Sequence, residues 1–181
     1  MKTKPFIVSL PIFLFLVWID ESIRAEVVDS SAYGFTVRGM VTVHADSQTV
    51  YKHLVKDVSK WWDPDHTFSG QSKNLSIDAR ANGCFCEKLD NGGSVRHMTV
   101  VYAEPGKFLR LTGGLGPLQG MGVSGTLTFL LYASRKGTNI EMTYAVGGYC
   151  PGGLEEWASP VNQVLMVQLN RLKHFIDTGK P

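Results

Sequence analysis

The sequence predicts an α+β domain in which a curved antiparallel sheet is closed on one side by a long C-terminal helix. Three observations carry that expectation. Between Ser159 and Asp177 the apolar residues Val161, Val164, Leu165, Leu169, Leu172, Phe175 and Ile176 recur in steps of three, four and seven, one face of an α-helix. From Leu75 to Val146 the chain breaks into short runs separated by turn residues. No second helical pattern of comparable length is present, so the apolar stripe must lie on the strands. About 18 residues at 1.5 Å each give a rod of roughly 27 Å, long enough to cross a sheet.

With 181 residues, 44% of them hydrophobic, the chain suffices for one domain with a sizeable core and is too short for two comfortable ones. Residues 1–25 read as a signal peptide, with an uncleaved anchor as the alternative. Lys2 and Lys4 form a basic start, Phe6 to Ile19 an apolar centre interrupted by Pro11, and Ile23-Arg24-Ala25 a cleavage site. The apolar centre is shorter than the roughly 20 residues a membrane helix needs, so no stable span is expected after its removal. The expectation is an exported protein, periplasmic or secreted. Cleavage takes away Lys2, Lys4, Arg24, Asp20 and Glu21 and leaves a net charge of +1. That balance, with no lysine or arginine run, speaks against a nucleic-acid partner.

Residues 26–32 read as a flexible lead. Phe35, Val37, Val41 and Val43 then alternate with polar neighbours, a strand with one buried face. Asp46 or Ser47 caps a helix whose apolar positions Val50, Leu54, Val55 and Val58 run to Trp61-Trp62, and Asp63-Pro64-Asp65 stops it. His66 to Asn74 is a polar loop or a short second helix. Six strands follow: Leu75–Arg80, Cys84–Leu89, Ser94–Ala103, Lys107–Thr112, Val123–Ala133 and Thr138–Val146. Asp90-Asn91-Gly92-Gly93 is a strong hairpin signal. Tight turns pair consecutive strands antiparallel, and a sheet of that many strands twists and curls. The helix covers its concave side, and any space that side chains leave unfilled is a ligand cavity. Ser159-Pro160 opens the last helix and Gly179 with Pro181 closes it.

The strand, the helix with Val50-Tyr51-Lys52-His53-Leu54 and Trp61-Trp62, the Ala103-Glu104-Pro105 turn before Phe-Leu-Arg-Leu, and the closing helix together resemble the SRPBCC superfamily. That group holds the START and birch-pollen-allergen-like proteins. The stretches Gly147-Gly148-Tyr149 and Pro151-Gly152-Gly153-Leu154 look like its polyketide cyclase or heat-shock-protein ATPase activator-like branch. The resemblance covers about Phe35 to Ile176. It implies a helix-grip fold over a single START-like domain, residues 33–178, with a hydrophobic cavity between sheet and helix. It does not imply one activity. Export departs from the cytosolic activator pattern and argues against a cytosolic chaperone partner.

Candidate site residues follow from where that cavity would lie. Trp61 and Trp62 are expected at its wall, in the core, or both. Leu115, Leu118 and Met121 lie on the glycine-rich stretch Gly113–Gly122, which suits a mobile loop over an apolar ligand. That stretch is not a phosphate loop, because no Gly-Lys-Ser/Thr follows and a strand comes next. Tyr149, Val161 and Leu165 complete the ligand-binding set. His97, in mid-strand on the face of Val95, Thr99 and Val101, is the best candidate for a polar contact or a general base. His66 beside Asp65 is a second acid–base candidate, more simply read as a solvated loop residue. Cys84 and Cys86, two apart on a strand, are poorly placed to bond each other. A bridge from one of them to Cys150 stays open, since sequence does not fix connectivity. A Cys-x-Cys pair without further ligands makes no metal site, and no cofactor motif is present. These residues are few and scattered, which favours a protein that binds a small hydrophobic or lipid-like molecule. The alternatives are a cyclase/dehydrase-like enzyme using His97 or His66, and an interaction protein with a filled core. The sequence leaves the oligomeric state open.

Overall fold

A computed structural model describes residues 24–180. The expected signal peptide falls almost wholly outside them. The strands are β1 (Arg24–Ser31), β2 (Gly34–Val43), β3 (Leu75–Ile77), β4 (Cys84–Lys88), β5 (Ser94–Glu104), β6 (Phe108–Gly113), β7 (Gly122–Ser134) and β8 (Gly137–Tyr149). Two short helices, α1 (Ser47–Lys56) and α2 (Val58–Trp61), follow β2, and the long helix α3 (Ala158–Thr178) ends the described chain. All eight strands join one antiparallel sheet in the order β1-β2-β8-β7-β6-β5-β4-β3. This is the α+β helix-grip architecture, with α3 against the sheet.

The residues expected as a flexible lead are instead a strand. From Arg24 to Ser31 they pair with β2, because β2 would otherwise be left as an edge with unpaired amides and carbonyls. The helix after β2 is capped by Asp46, whose carboxylate accepts from the amides of Gln48 and Thr49, both at 3.0 Å. It breaks at Asp57 and resumes as α2. α3 starts one residue earlier than expected, at Ala158, running on from a 3₁₀ turn at Glu155–Trp157. Pro160 is tolerated in the first turn because amides there have no partner within the helix. Gly179, with φ of 74°, ends it through its amide bonded to the Phe175 carbonyl.

The inward face of the sheet alternates as a half-buried sheet should. Val37, Val41, Leu109, Leu111, Leu127, Phe129, Ile140, Met142 and Tyr144 are buried against Leu165, Leu169, Leu172 and Phe175 of α3. Gly39 allows the closest approach: a Cβ there would collide with Met166 and press on Leu169. Further along, Gln168 accepts from the Asp63 amide at 2.8 Å, Arg171 donates to the Trp61 carbonyl at 2.9 Å, and Lys173 to the Thr42 carbonyl at 2.8 Å.

The cysteines pair differently from expectation. Cys84 and Cys86 form the disulfide and Cys150 is free. In a regular strand residues two apart are roughly 6.6 Å apart. Here the β4–β5 register shifts between Phe85 and Cys86, and the two Cα atoms lie 5.3 Å apart, within bridging range.

Candidate functional site

A cavity of about 470 Å³ opens between the N-terminal half of α3, the segment after β6 and His97 of β5. Its wall on the helix side is Trp157, Pro160, Val161, Val164 and Leu165. The segment Leu115–Leu118 forms a second side, and Asp65, His66, Thr67 and Phe68 form the rim with Trp62 beneath. The wall is overwhelmingly apolar, and its size suits a small organic ligand.

Of the residues expected to bind ligand, Trp62, His97, Leu115, Leu118, Val161 and Leu165 meet at this cavity. Trp61 does not: it is buried beside Trp62, with ring centroids 5.5 Å apart, and its indole donates to the His53 carbonyl at 3.1 Å. Met121 packs against the core at the start of β7, away from the cavity lining. Tyr149 is 75% exposed, because β8 extends to it and pairs it with Gly122 at the sheet's far end. His66 is on the rim, exposed to solvent. Its neighbour Asp65 is exposed too, and no hydrogen bond joins the two side chains among the described residues.

His97 reaches the cavity through a bulge. Phe85 pairs with Met98 and Cys86 with Arg96, so the pairing of β5 with β4 skips His97. The bulge turns both His97 and Met98 inward, where simple alternation would bury one of them. A second register shift, between Val100 and Tyr102, leaves Val101 exposed, so the face expected for His97 with Val101 does not persist. The imidazole is 6% exposed and packs against two phenyl rings, Phe85 at 4.9 Å and Phe68 at 5.7 Å between centroids.

Its partner is Glu87, which the sequence reading passed over. His97 Nε2 and Glu87 Oε2 are 2.9 Å apart, and Glu87 is 1% exposed. The same carboxylate accepts from the Phe68 amide at 3.0 Å and the Ser69 amide at 2.5 Å, so it anchors the rim loop as well. Burial pushes the Glu87 carboxyl upward, but bonds from Ser69, Phe68 and His97 outweigh it and hold it below the ordinary carboxylate value. Burial depresses His97 below the usual 6.5, against the pull of Glu87. At neutral pH the pair is therefore a carboxylate and a neutral imidazole. A signal for Glu87 existed: it lies two residues after Phe85, on the same inward face of β4.

Tyr144 fixes the glycine-rich segment. It crosses over Gly125, where a Cβ would strike its ring, donates to the Gly113 carbonyl at 3.1 Å and accepts from the Leu115 amide at 3.2 Å. Burial pushes its phenol up to about 12. Leu115 and Leu118 are thus held against the cavity, with a 3₁₀ turn over Gly116–Gly120 between β6 and β7. Among the described residues no cluster of three or more His, Cys, Asp or Glu side chains is placed to hold a metal ion. No helix among them is long and apolar enough to cross a membrane.

No family model and no curated protein matches the chain. Solved structures do. The chain is similar to the Aha1 dimer from Colwellia psychrerythraea at 18% identity, with a TM-score of 0.58 over 81% of this chain and 98% of that one. CalU16 from Micromonospora echinospora gives 16% identity and a TM-score of 0.56 over 89% and 87%. The conserved protein of unknown function EF2215 from Enterococcus faecalis gives 15% and 0.57 over 88% and 79%. At these identities the likeness establishes the fold alone.

Proposed function

We propose that this chain is an exported member of the SRPBCC superfamily that holds a small hydrophobic or lipid-like molecule between its sheet and its C-terminal helix. The observation that carries the reading is the cavity of about 470 Å³ with its apolar lining. Burying an apolar molecule there removes surface from water at about 25 cal/mol per Å². The wall is preformed: Tyr144 pins Leu115, and Glu87 pins the rim loop. Export rests on residues 1–25 and adds that the ligand would be met outside the cytosol.

The buried Glu87–His97 pair supports a second reading, a cyclase/dehydrase-like enzyme with His97 as general base. A carboxylate behind an imidazole fixes its tautomer and raises its basicity, as general-base catalysis requires. Binding is preferred because, among the described residues, His97 is the only buried titratable side chain lining the cavity, leaving a base without a buried acid in the lining.

Native mass spectrometry of protein isolated from its own compartment, paired with titration of Trp62 fluorescence by an apolar probe, tests this. A co-purifying apolar mass, or saturable one-to-one quenching, is expected. Protein that carries nothing and binds no apolar probe overturns the reading.

A further inference from the structure

We propose that the cavity selects a lipophilic molecule bearing a hydroxyl, an alcohol or a phenol, whose O–H donates to Nδ1 of His97. The inference rests on the binding reading above and goes on to name the ligand's one polar group.

Two phenyl rings pack against the imidazole, Phe85 and Phe68, each tilted to it. One edge is taken by Glu87, at 2.9 Å from Nε2. Glu87 already accepts two backbone amides, and in its ionised form it has no proton to offer. Nε2 must therefore carry the hydrogen. In a neutral imidazole that leaves Nδ1 as an acceptor. Nδ1 makes no hydrogen bond among the described residues, although His97 lines the cavity.

The other polar groups of the lining do not compete for the same place. Thr67 spends its hydroxyl on the Pro64 carbonyl at 2.7 Å, and Asp65 and His66 are exposed at the rim. Besides the indole of Trp157, which can only donate, a ligand seated in the cavity thus meets one side-chain nitrogen of a buried residue, and that atom accepts. A ligand that covers this acceptor and supplies a donor is favoured over an isostere that covers it and cannot.

The test compares 4-hexylphenol with 4-hexylanisole, its methyl ether, on the unmodified protein, and in parallel 1-decanol with decyl methyl ether. Isothermal titration is expected to show the hydroxyl member binding about tenfold more tightly in at least one pair. The pair that discriminates tells an aromatic carrier from an aliphatic one. His97→Phe should abolish the preference while keeping affinity for the ethers. If that variant does not fold, histidine ¹⁵N spectra of the unmodified protein serve instead. The hydroxyl ligand should move the unprotonated Nδ1 resonance of His97, and the ether should leave it in place. Equal affinity within both pairs overturns the hydroxyl proposal and leaves the cavity reading standing. A His97 protonated at Nδ1 overturns it too. Binding of none of the four compounds defeats the cavity reading itself.

Discussion

The two ends of α3 carry one apolar stripe and use it in opposite ways. From Leu169 onward the stripe is core. Leu169 and Leu172 are buried, Phe175 meets the His53 ring edge-on at 5.4 Å, and Gln168, Arg171 and Lys173 tie the helix to the Asp63 amide, the Trp61 carbonyl and the Thr42 carbonyl. Toward the N-terminus, Val161, Val164 and Leu165 follow the same spacing but face a cavity. Among the described residues, no side chain of α3 before Gln168 hydrogen-bonds to another element. The difference lies in what stands opposite. At one end α3 faces α1 and the close approach at Gly39. At the other it faces a bulged strand and a glycine-rich turn, which leave room. Periodicity reports that a face is apolar; it does not report whether the partner surface fills the space.

The comparison breaks most sharply under charge. Leu169→Asp should abolish the folded state, because a buried unpaired carboxylate costs several kcal/mol, about 3–5 where no partner can reach it. Leu165→Asp should also destabilise the domain, but by less, since the cavity offers its carboxylate a route to water. Thermal melts followed by circular dichroism rank the two, and equal losses would mean the ends are energetically alike. Truncation sharpens the same contrast. Leu169→Ala should cost about 2–5 kcal/mol, as large-to-small changes in packed cores do. Val164→Ala should cost under about 1 kcal/mol, because it only widens a space already present. Urea unfolding gives both numbers.

The smallest effect expected is on pH. His97 has a folded pKa below its ordinary 6.5, so as pH falls below that value the unfolded chain takes up the proton first and stability drops. Glu87 has a folded pKa below its ordinary 4.5, so its contribution is present above that value and is lost as pH falls through the folded one. Both slopes have the same sign. Denaturant midpoints should fall in the acid range, with the first step missing in His97→Phe.

How far the sequence reveals this arrangement depends on the kind of signal. Elements with many repeats of a period were legible: α3 to within a residue at each end, and β7 and β8 from their alternation. The edge strand β1 was not, since Glu26 to Ser31 carries its evidence in β2's need for a partner, which is a property of the sheet. Six of the nine residues expected to bind ligand do line the cavity. Tyr149 was misplaced because β8 runs three residues further than its apolar alternation, whereas Trp61 takes the core place that the sequence leaves open for one of two adjacent tryptophans. The bulge at His97 and the Cys84–Cys86 bridge beside it have one origin, a shift of register between two strands. Register is set by pairing, so no single strand displays it.

The sheet does not close on itself, and its two rims differ. On the β3 side the rim is three residues long, too short to template another chain. On the β1 side it is eight residues long and includes Val27 and Val28, both exposed. A straight, uncharged strand of that length invites a stranger to add alongside it. Here Glu26 and Asp29 stand on the rim, and the register with β2 slips between Val27 and Asp29. The slip bends the strand, and the charges of Asp29 and of the Glu26–Arg38 pair are costly to bury under another chain, so this border works as a guard against clumping.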